Sequence, residues 1–148
     1  IGRSLRAVMD FQALGARTIH IDCDVIDADG GTRTASITGA WCALYMLCQS
    51  LVQSGVIDAM PITSQVAAVS CGVVDDVVLL DLCYAEDSRA QVDLNLVRTS
   101  DGQIVEIQGT GEGRAFAQSE LTAMLQVARK GIDRLMQLQQ EAVGVEKK

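Results

Sequence analysis

The sequence predicts an α+β protein in which long helices flank a run of short strands. Three observations predict it. Apolar residues recur at helical spacing over three stretches, they alternate at period two over others, and glycine or aspartate clusters separate the two kinds. A length of 148 residues suits about one domain with a real core. With 49% hydrophobic and 21% charged residues, a disordered or fibrous chain is excluded. A net charge of −7 argues against a generic basic nucleic-acid binder. No apolar run reaches the roughly 18–20 residues of a membrane-spanning helix, and no signal-peptide pattern opens the chain.

The first element is a helix from about Gly2 to Leu14, with Ile1, Leu5, Val8 and Met9 on one face and Gly15 as its C-terminal cap. A chain that starts at Ile1, inside this pattern, reads as part of a longer protein, whose remainder can carry basic charge not counted here. Arg17 to Ile26 alternates: Thr18, His20, Asp22 and Asp24 on one side, Ile19, Ile21, Cys23 and Val25 on the other. That period predicts a half-buried strand, with His20 as a surface or cross-strand histidine. Asp27 to Gly31 is a turn.

A long helix follows from about Thr32 to Ser54, closed by Gly55. It is apolar around most of its girth, which predicts the central buried helix. Pro61, the single proline, marks the crossing into a second unit. Val66 to Cys71 and Val73 to Tyr84 read as two strands, with a turn near Val74-Asp75-Asp76. The continuous run Val77-Val78-Leu79-Leu80 predicts a central strand. Val92 to Thr99, a turn at Ser100-Asp101-Gly102 and Ile104 to Gly109 form a hairpin. A final helix runs from about Ser119, its N-cap, to Glu141, burying Leu121, Leu125, Ala128, Ile132, Leu135 and Leu138. Val143 to Lys148 should fray. The whole reads as two βα units with mixed sheets, fused near Pro61.

Five cysteines, Cys23, Cys42, Cys48, Cys71 and Cys83, form an odd set without a CxxC pair. Each reads as a small buried hydrophobe, which fits a reducing, cytoplasmic compartment. A single histidine and no ligand spacing disfavour zinc.

Two segments carry chemistry. Gly30-Gly31-Thr32-Arg33-Thr34-Ala35-Ser36 joins an extended segment to a helix. Glycines allow a close backbone approach to an anion, a helix start adds partial positive charge, and Arg33 offers a bidentate guanidinium suited to phosphate. A plain glycine turn is the alternative. In Glu86-Asp87-Ser88-Arg89-Ala90-Gln91-Val92-Asp93, a reversing loop can bring Asp87 and Asp93 together. There they could hold a magnesium ion, or one could protonate a leaving oxygen. On residues alone, two solvated loop aspartates is the favoured reading. Asp22 and Asp24 are weaker candidates of the same kind, and Ser88 has no histidine partner for a nucleophilic role.

The run Ile19-His20-Ile21-Asp22-Cys23-Asp24-Val25, continued by Ala28 to Ala40, closely resembles bacterial ribonuclease PH. So do Met60-Pro61 with Val66 to Ser70, Tyr84 to Ser88 with Asp93-Leu94-Asn95, and Val105 to Thr110. The resemblance extends from Ile1 to about Gln140. It implies a fold of the ribosomal-protein-S5-domain-2-like type, a duplicated βα unit. Residues 1–60 would be the C-terminal part of the first exoribonuclease domain, 61–142 the second, and 143–148 a flexible tail. It implies a phosphorolytic 3′→5′ exoribonuclease that trims precursor tRNA and other RNA 3′ ends. Inorganic phosphate attacks, a nucleoside diphosphate leaves, and the reverse reaction adds nucleotides. Gly31, Thr32 and Arg33 would hold the phosphate. Asp87 and Asp93 would bind a divalent metal such as Mg2+ or serve as general acid. The assembly implied is a cytoplasmic hexamer, a trimer of dimers, with no membrane partner.

Two departures from the family stand out. Its N-terminal segment, which supplies another phosphate-binding arginine, further strands and many basic residues, has no counterpart here. Trp41, Cys42 and Tyr45 replace smaller residues. A non-catalytic ring subunit of an exosome-like assembly and an inactive truncated fragment are the alternatives. The catalytic reading expects Arg33, Asp87 and Asp93 to share one cleft, with the anion held at the glycine turn.

Overall fold

The computed structural model describes residues 1–144. Its centre is one four-stranded antiparallel sheet: β1 (Val66–Val74), β2 (Val77–Leu80), β3 (Val92–Thr99) and β4 (Ile104–Gly111), in the order β2-β1-β3-β4. Two long helices cover it, α3 (Thr32–Gln53) on one face and α5 (Gln118–Ala142) on the other. The expected α+β class holds. The sheet is not mixed, and all four strands follow Pro61, so the first 60 residues supply helices to the same sheet rather than a separate described one.

Strand alternation sorts the side chains. Ala67, Val69, Cys71 and Val73 of β1 join Val92, Leu94 and Leu96 of β3 beneath Met124, Ala128, Ile132 and Met136 of α5. Ala68 and Val97 face the other way, onto Ile37, Ala40, Trp41 and Leu44 of α3. Gln139 ties the layers: its buried amide donates to the carbonyls of Thr38 and Val66, both at 3.0 Å. The Trp41 indole donates to the Ser64 carbonyl at 3.1 Å and stacks on Tyr45 at 5.2 Å between ring centroids.

Several elements differ from expectation, each for a local reason. The first helix breaks into α1 (Gly2–Arg6) and α2 (Phe11–Leu14). Between them, Met9 bridges Ile62, the Asp10 amide donates to the Pro61 carbonyl, and the Asp10 carboxylate caps α2 by accepting from Gln12 and Ala13. Gly15, at φ 71°, ends α2 as expected. Residues 17–26 run extended without a strand partner among the described residues. Ile19 and Ile21 pack against the α3 layer while His20, Asp22, Cys23 and Asp24 are exposed, so alternation survives without a ladder and Cys23 is not buried.

The break expected at Gly72 does not exist; β1 is continuous through it. The turn falls at Asp75-Asp76, both at positive φ, as a two-residue hairpin requires. β2 is the edge strand rather than a central one, because its apolar run rests on α5 while its outer side is open. α3 buries Thr34, Ile37, Ala40, Trp41, Leu44 and Cys48 along one face, but Met46 and Leu47 are exposed, so it is not buried all round. It is also long and apolar enough, by length and composition, to cross a membrane. Only one face of it packs against the sheet, and 28% of the apolar window is buried.

The N-cap of α5 is Ala117, not Ser119: Glu120 accepts from the Ala117 amide at 2.8 Å and is itself held by Arg114 at 2.6 Å. Its stripe is Met124, Ala128, Ile132, Met136 and Gln139; Leu138 is exposed. Val143, expected to fray, is buried in the α3 layer. The rest of the expected flexible tail, beyond residue 144, lies outside the described residues.

Candidate active site

The register places three transverse rows of side chains on the α3 face of the sheet. Cross-strand partners share a face. The first row is Ala68, Val97 and Glu106; the second is Ser70, Asn95 and Gln108; the third is Gly72, Asp93 and Thr110. Successive rows are about 7 Å apart, two residues along a strand. α3 lies over the first row, where Thr38 exchanges two hydrogen bonds with the Ala68 backbone at 3.1 and 3.2 Å. Its start lies over the second, since a Cβ on Gly31 would sit 3.2 Å from the Ser70 hydroxyl. The third row, with Asp93, is beyond the helix end.

The glycine turn is built for close approach. Gly31 is the N-cap of α3 with φ 70° and ψ 22°, a left-handed conformation, and no side chain caps the helix start. The first N–H groups of α3 therefore have no intrahelical partner. A Cβ on Gly30 would lie 1.9 Å from the Leu82 carbonyl oxygen, so only glycine lets the turn press against the segment leading into the short helix α4 (Tyr84–Asp87). Asp29 completes that junction by accepting from the Tyr84 amide at 2.5 Å. The glycine turn and the segment leading into the helix that carries Asp87 are thus one packed assembly.

Asp87 and Asp93 are near enough for their charges to act on one another. Burial raises the Asp93 carboxyl above the ordinary carboxylate range, and the charges of Asp87 and then Glu112 raise it further, against a backbone hydrogen bond at Leu94. Asn95 donates weakly to Asp93 at 3.5 Å. On the neighbouring strand β1, facing α5, burial and the Asp93 charge push the Cys71 thiol up to about 12, so it is inert as a nucleophile. The carboxylates repel one another, and either a proton on Asp93 or a divalent cation among hard oxygen donors would relieve them. Two carboxylates are hard oxygen donors of the kind a magnesium ion takes. Among the described residues no group of three or more histidine, cysteine or acidic side chains forms a closed metal site.

Of the residues expected to grip phosphate, Gly31 is one row from Asp93. Thr32 instead lines a separate cleft of about 600 Å3 between α3 and the segment from Ile21 to Asp29. Arg33 shares the sheet face with Asp93 but is turned to the first row, where its Nη2 pairs with Glu106 at 2.5 Å. As placed, its guanidinium is about 13 Å along the sheet from the third row. Sequence reasoning missed Glu106, Ser70, Asn95 and Glu112 as neighbours of the site. The polar residues alternating with apolar ones in Val92–Thr99 and Ile104–Gly111 were the signal that could have found Asn95 and Glu106.

Comparison with known proteins agrees over nearly the whole chain. Residues 1–48 match the family described as 3′ exoribonuclease family, domain 1, and residues 64–131 match its domain 2. Ribonuclease PH of Synechococcus sp. (strain CC9605) is 60% identical over 142 residues, which are 96% of this chain and 58% of that protein. Ribonuclease PH of Syntrophomonas wolfei is 52% identical over 145 residues, 98% of this chain and 61% of its own. This chain therefore spans less than two thirds of the curated relatives it matches. The crystal structure of rice (Oryza sativa) Rrp46 shares the fold, with a TM-score of 0.62 at 19% identity over 80% of this chain and 51% of that one.

Proposed function

This chain belongs to the 3′ exoribonuclease family that includes ribonuclease PH, and we propose that it takes part in phosphorolytic removal of nucleotides from RNA 3′ ends, precursor tRNA foremost. The carrying observation is the placement of an uncapped helix start, at Gly31, one row from Asp93 on a single sheet face, with the charge of Asp87 in α4 acting on Asp93. Inorganic phosphate is the nucleophile. Its oxygen forms a bond to the terminal phosphorus, the bond to the 3′ oxygen of the preceding nucleotide breaks, and a nucleoside diphosphate leaves. In reverse, the same atoms add a nucleotide.

Two anions must meet in this step, so the chain's own groups divide the work. The α3 amides and its macrodipole orient the incoming phosphate. Arg33 provides a guanidinium on the same face. Asp93, with its raised affinity for a proton, can hold the one that the departing 3′ oxygen takes up. Alternatively, with Asp93 ionised, a bound Mg2+ would be held by Asp87 and Asp93 and would supply charge neutralisation at the reacting phosphates. The same reading carries a cytoplasmic location and a ring of six, a trimer of dimers, on the strength of the shared motifs.

The test is RNA with a 3′ extension, incubated with and without inorganic phosphate. Phosphate-dependent release of nucleoside diphosphate supports the proposal, and release of monophosphate refutes it. A non-catalytic ring subunit is the second reading, favoured by one feature: Arg33 points at Glu106 rather than at the acidic pair. That reading expects no release under either condition.

A further inference from the structure

Glu106 was not among the residues that the sequence singled out for chemistry, yet it makes the closest contact to the one arginine at the glycine turn. Glu106 Oε1 accepts from Arg33 Nη2 at 2.5 Å, with the arginine side chain 40% and the carboxylate 22% exposed. The contact joins residues 73 positions apart, from the first turn of α3 to the third residue of β4. The other terminal nitrogen, Nη1, is buried and has no acceptor among the described residues. A guanidinium presents its donors in a fixed planar fork. Holding Nη2 therefore also fixes where Nη1 points.

A buried charged donor without an acceptor is unfavourable unless something supplies the acceptor. The nearest protein anion is already used on Nη2. Asp93 lies two rows farther along the sheet. The free donor belongs to a residue of the first turn of α3, whose backbone N–H groups also lack intrahelical partners. Each kind of donor calls for an oxyanion.

We propose that Glu106 is a positioning residue: it anchors Arg33 by Nη2 so that Nη1 and the α3 amides are pre-aimed at the inorganic phosphate. The inference rests on the phosphorolytic reading above and adds to it the side chain that sets the arginine. Anchoring before phosphate arrives removes the rotamer freedom of a long side chain, a cost otherwise met on binding. It also explains why an acidic side chain stands beside an anion site, where by charge alone it would be unfavourable. Lysine cannot replace Arg33 in this scheme, because one ammonium does not present two edges.

The test measures phosphate KM and kcat at saturating RNA in the wild-type protein, Glu106→Ala, Glu106→Gln, Arg33→Ala and Arg33→Ala/Glu106→Ala. Glu106→Ala should raise phosphate KM about ten- to a hundredfold, the scale on which lost orientation acts, with a much smaller change in kcat. Glu106→Gln keeps an acceptor oxygen and should recover most of the affinity. The double variant should be no worse than Arg33→Ala alone, because Glu106 acts only through Arg33. Circular dichroism melting reports folding; should Glu106→Ala fail to fold, Glu106→Asp, which shortens the anchor by one methylene, should give the same KM-selective loss. Phosphate-dependent turnover with Glu106→Ala at wild-type KM, or losses that add in the double variant, overturns the role of Glu106 and leaves phosphorolysis standing. Wild-type turnover indifferent to phosphate overturns both.

Discussion

Replacing Gly31 by alanine tests whether the α3 start is shaped for an anion. Gly31 sits at φ 70° and ψ 22°, a region that costs an L-residue roughly 1–2 kcal/mol. The added Cβ would meet the Ser70 and Thr34 hydroxyl oxygens at 3.2 Å each, tight but within reach of small shifts. The fold should therefore survive, losing about 1–2 kcal/mol, or several degrees in Tm at about 2–4 °C per kcal/mol for a domain of this size. The shift that relieves the contact displaces the amides at the helix start. Losing one charge-assisted hydrogen bond there costs about 1.5–3 kcal/mol, which is roughly ten- to a hundredfold in phosphate affinity. Gly39 is the internal control. It lies mid-helix in the same α3, a Cβ there meets nothing within 4 Å, and Gly39→Ala should stabilise by about 1 kcal/mol. Calorimetric phosphate titration and thermal melting of both variants decide the matter. If Gly31→Ala binds phosphate as tightly as Gly39→Ala, the left-handed N-cap has no part in anion binding.

Three further outcomes follow from named contacts. Asp93 holds its proton above the ordinary range, so the stability it contributes is present at low pH and falls away as pH rises through its folded value. Asp93→Asn should thus raise Tm at neutral pH, leave it unchanged in acid, and abolish turnover; a lower Tm at neutral pH would contradict the crowding of Asp87 and Glu112. Glu120 shows the opposite sign: Arg114 lowers its carboxyl from 4.5 to about 2, so its stabilisation is present above 4.5 and lost as pH falls toward 2. Glu120→Gln should flatten acid unfolding within that window, as followed by circular dichroism. Ile132, fully buried under the sheet, should cost about 2–5 kcal/mol on truncation to alanine, whereas exposed Leu138 should cost within about 0.5 kcal/mol in urea melts.

What could be read from the residues was whatever a local period determines. The bounds of α3, the existence of α5 and the Asp75-Asp76 turn follow from spacing and turn chemistry alone. Strand position did not. Val77–Leu80 has the composition of a central strand, yet only the hairpin connection and α5 decide that it lies at the edge. Arg17 to Ile26 has a strand's alternation, but a ladder needs a neighbour, which no local pattern reports. At the site, Gly31 stood out by its glycine-turn chemistry, whereas Asp87 and Asp93 read on residues alone as solvated loop aspartates and were singled out by the resemblance, because their proximity depends on how the chain folds back. Glu106 was not, since its meaning depends on a 73-residue separation that only the register closes.

The site's own charge count leads to a final prediction. Arg33 and Glu106 cancel, and Asp87 and Asp93 together bring two negative charges when ionised. Against them stands the helix start, equivalent to about half a positive charge. Adding a phosphate and an RNA phosphodiester leaves a strongly negative cluster, within a range where screening at about 8–10 Å does little. These residues can hold both anions only if the acidic pair is neutralised. A divalent cation does so at neutral pH, and its binding must then be coupled to that of phosphate, by the same factor in both directions. Magnesium should tighten phosphate affinity about five- to a hundredfold, a typical coupling, and phosphate should tighten magnesium equally. Asp93→Asn, with one charge fewer, should bind phosphate better than wild type when magnesium is chelated and gain less when it is restored. Phosphate affinity unmoved by chelation in the wild-type protein would mean that Asp93 carries the compensating proton itself, and that the pair acts as an acid rather than as a metal holder.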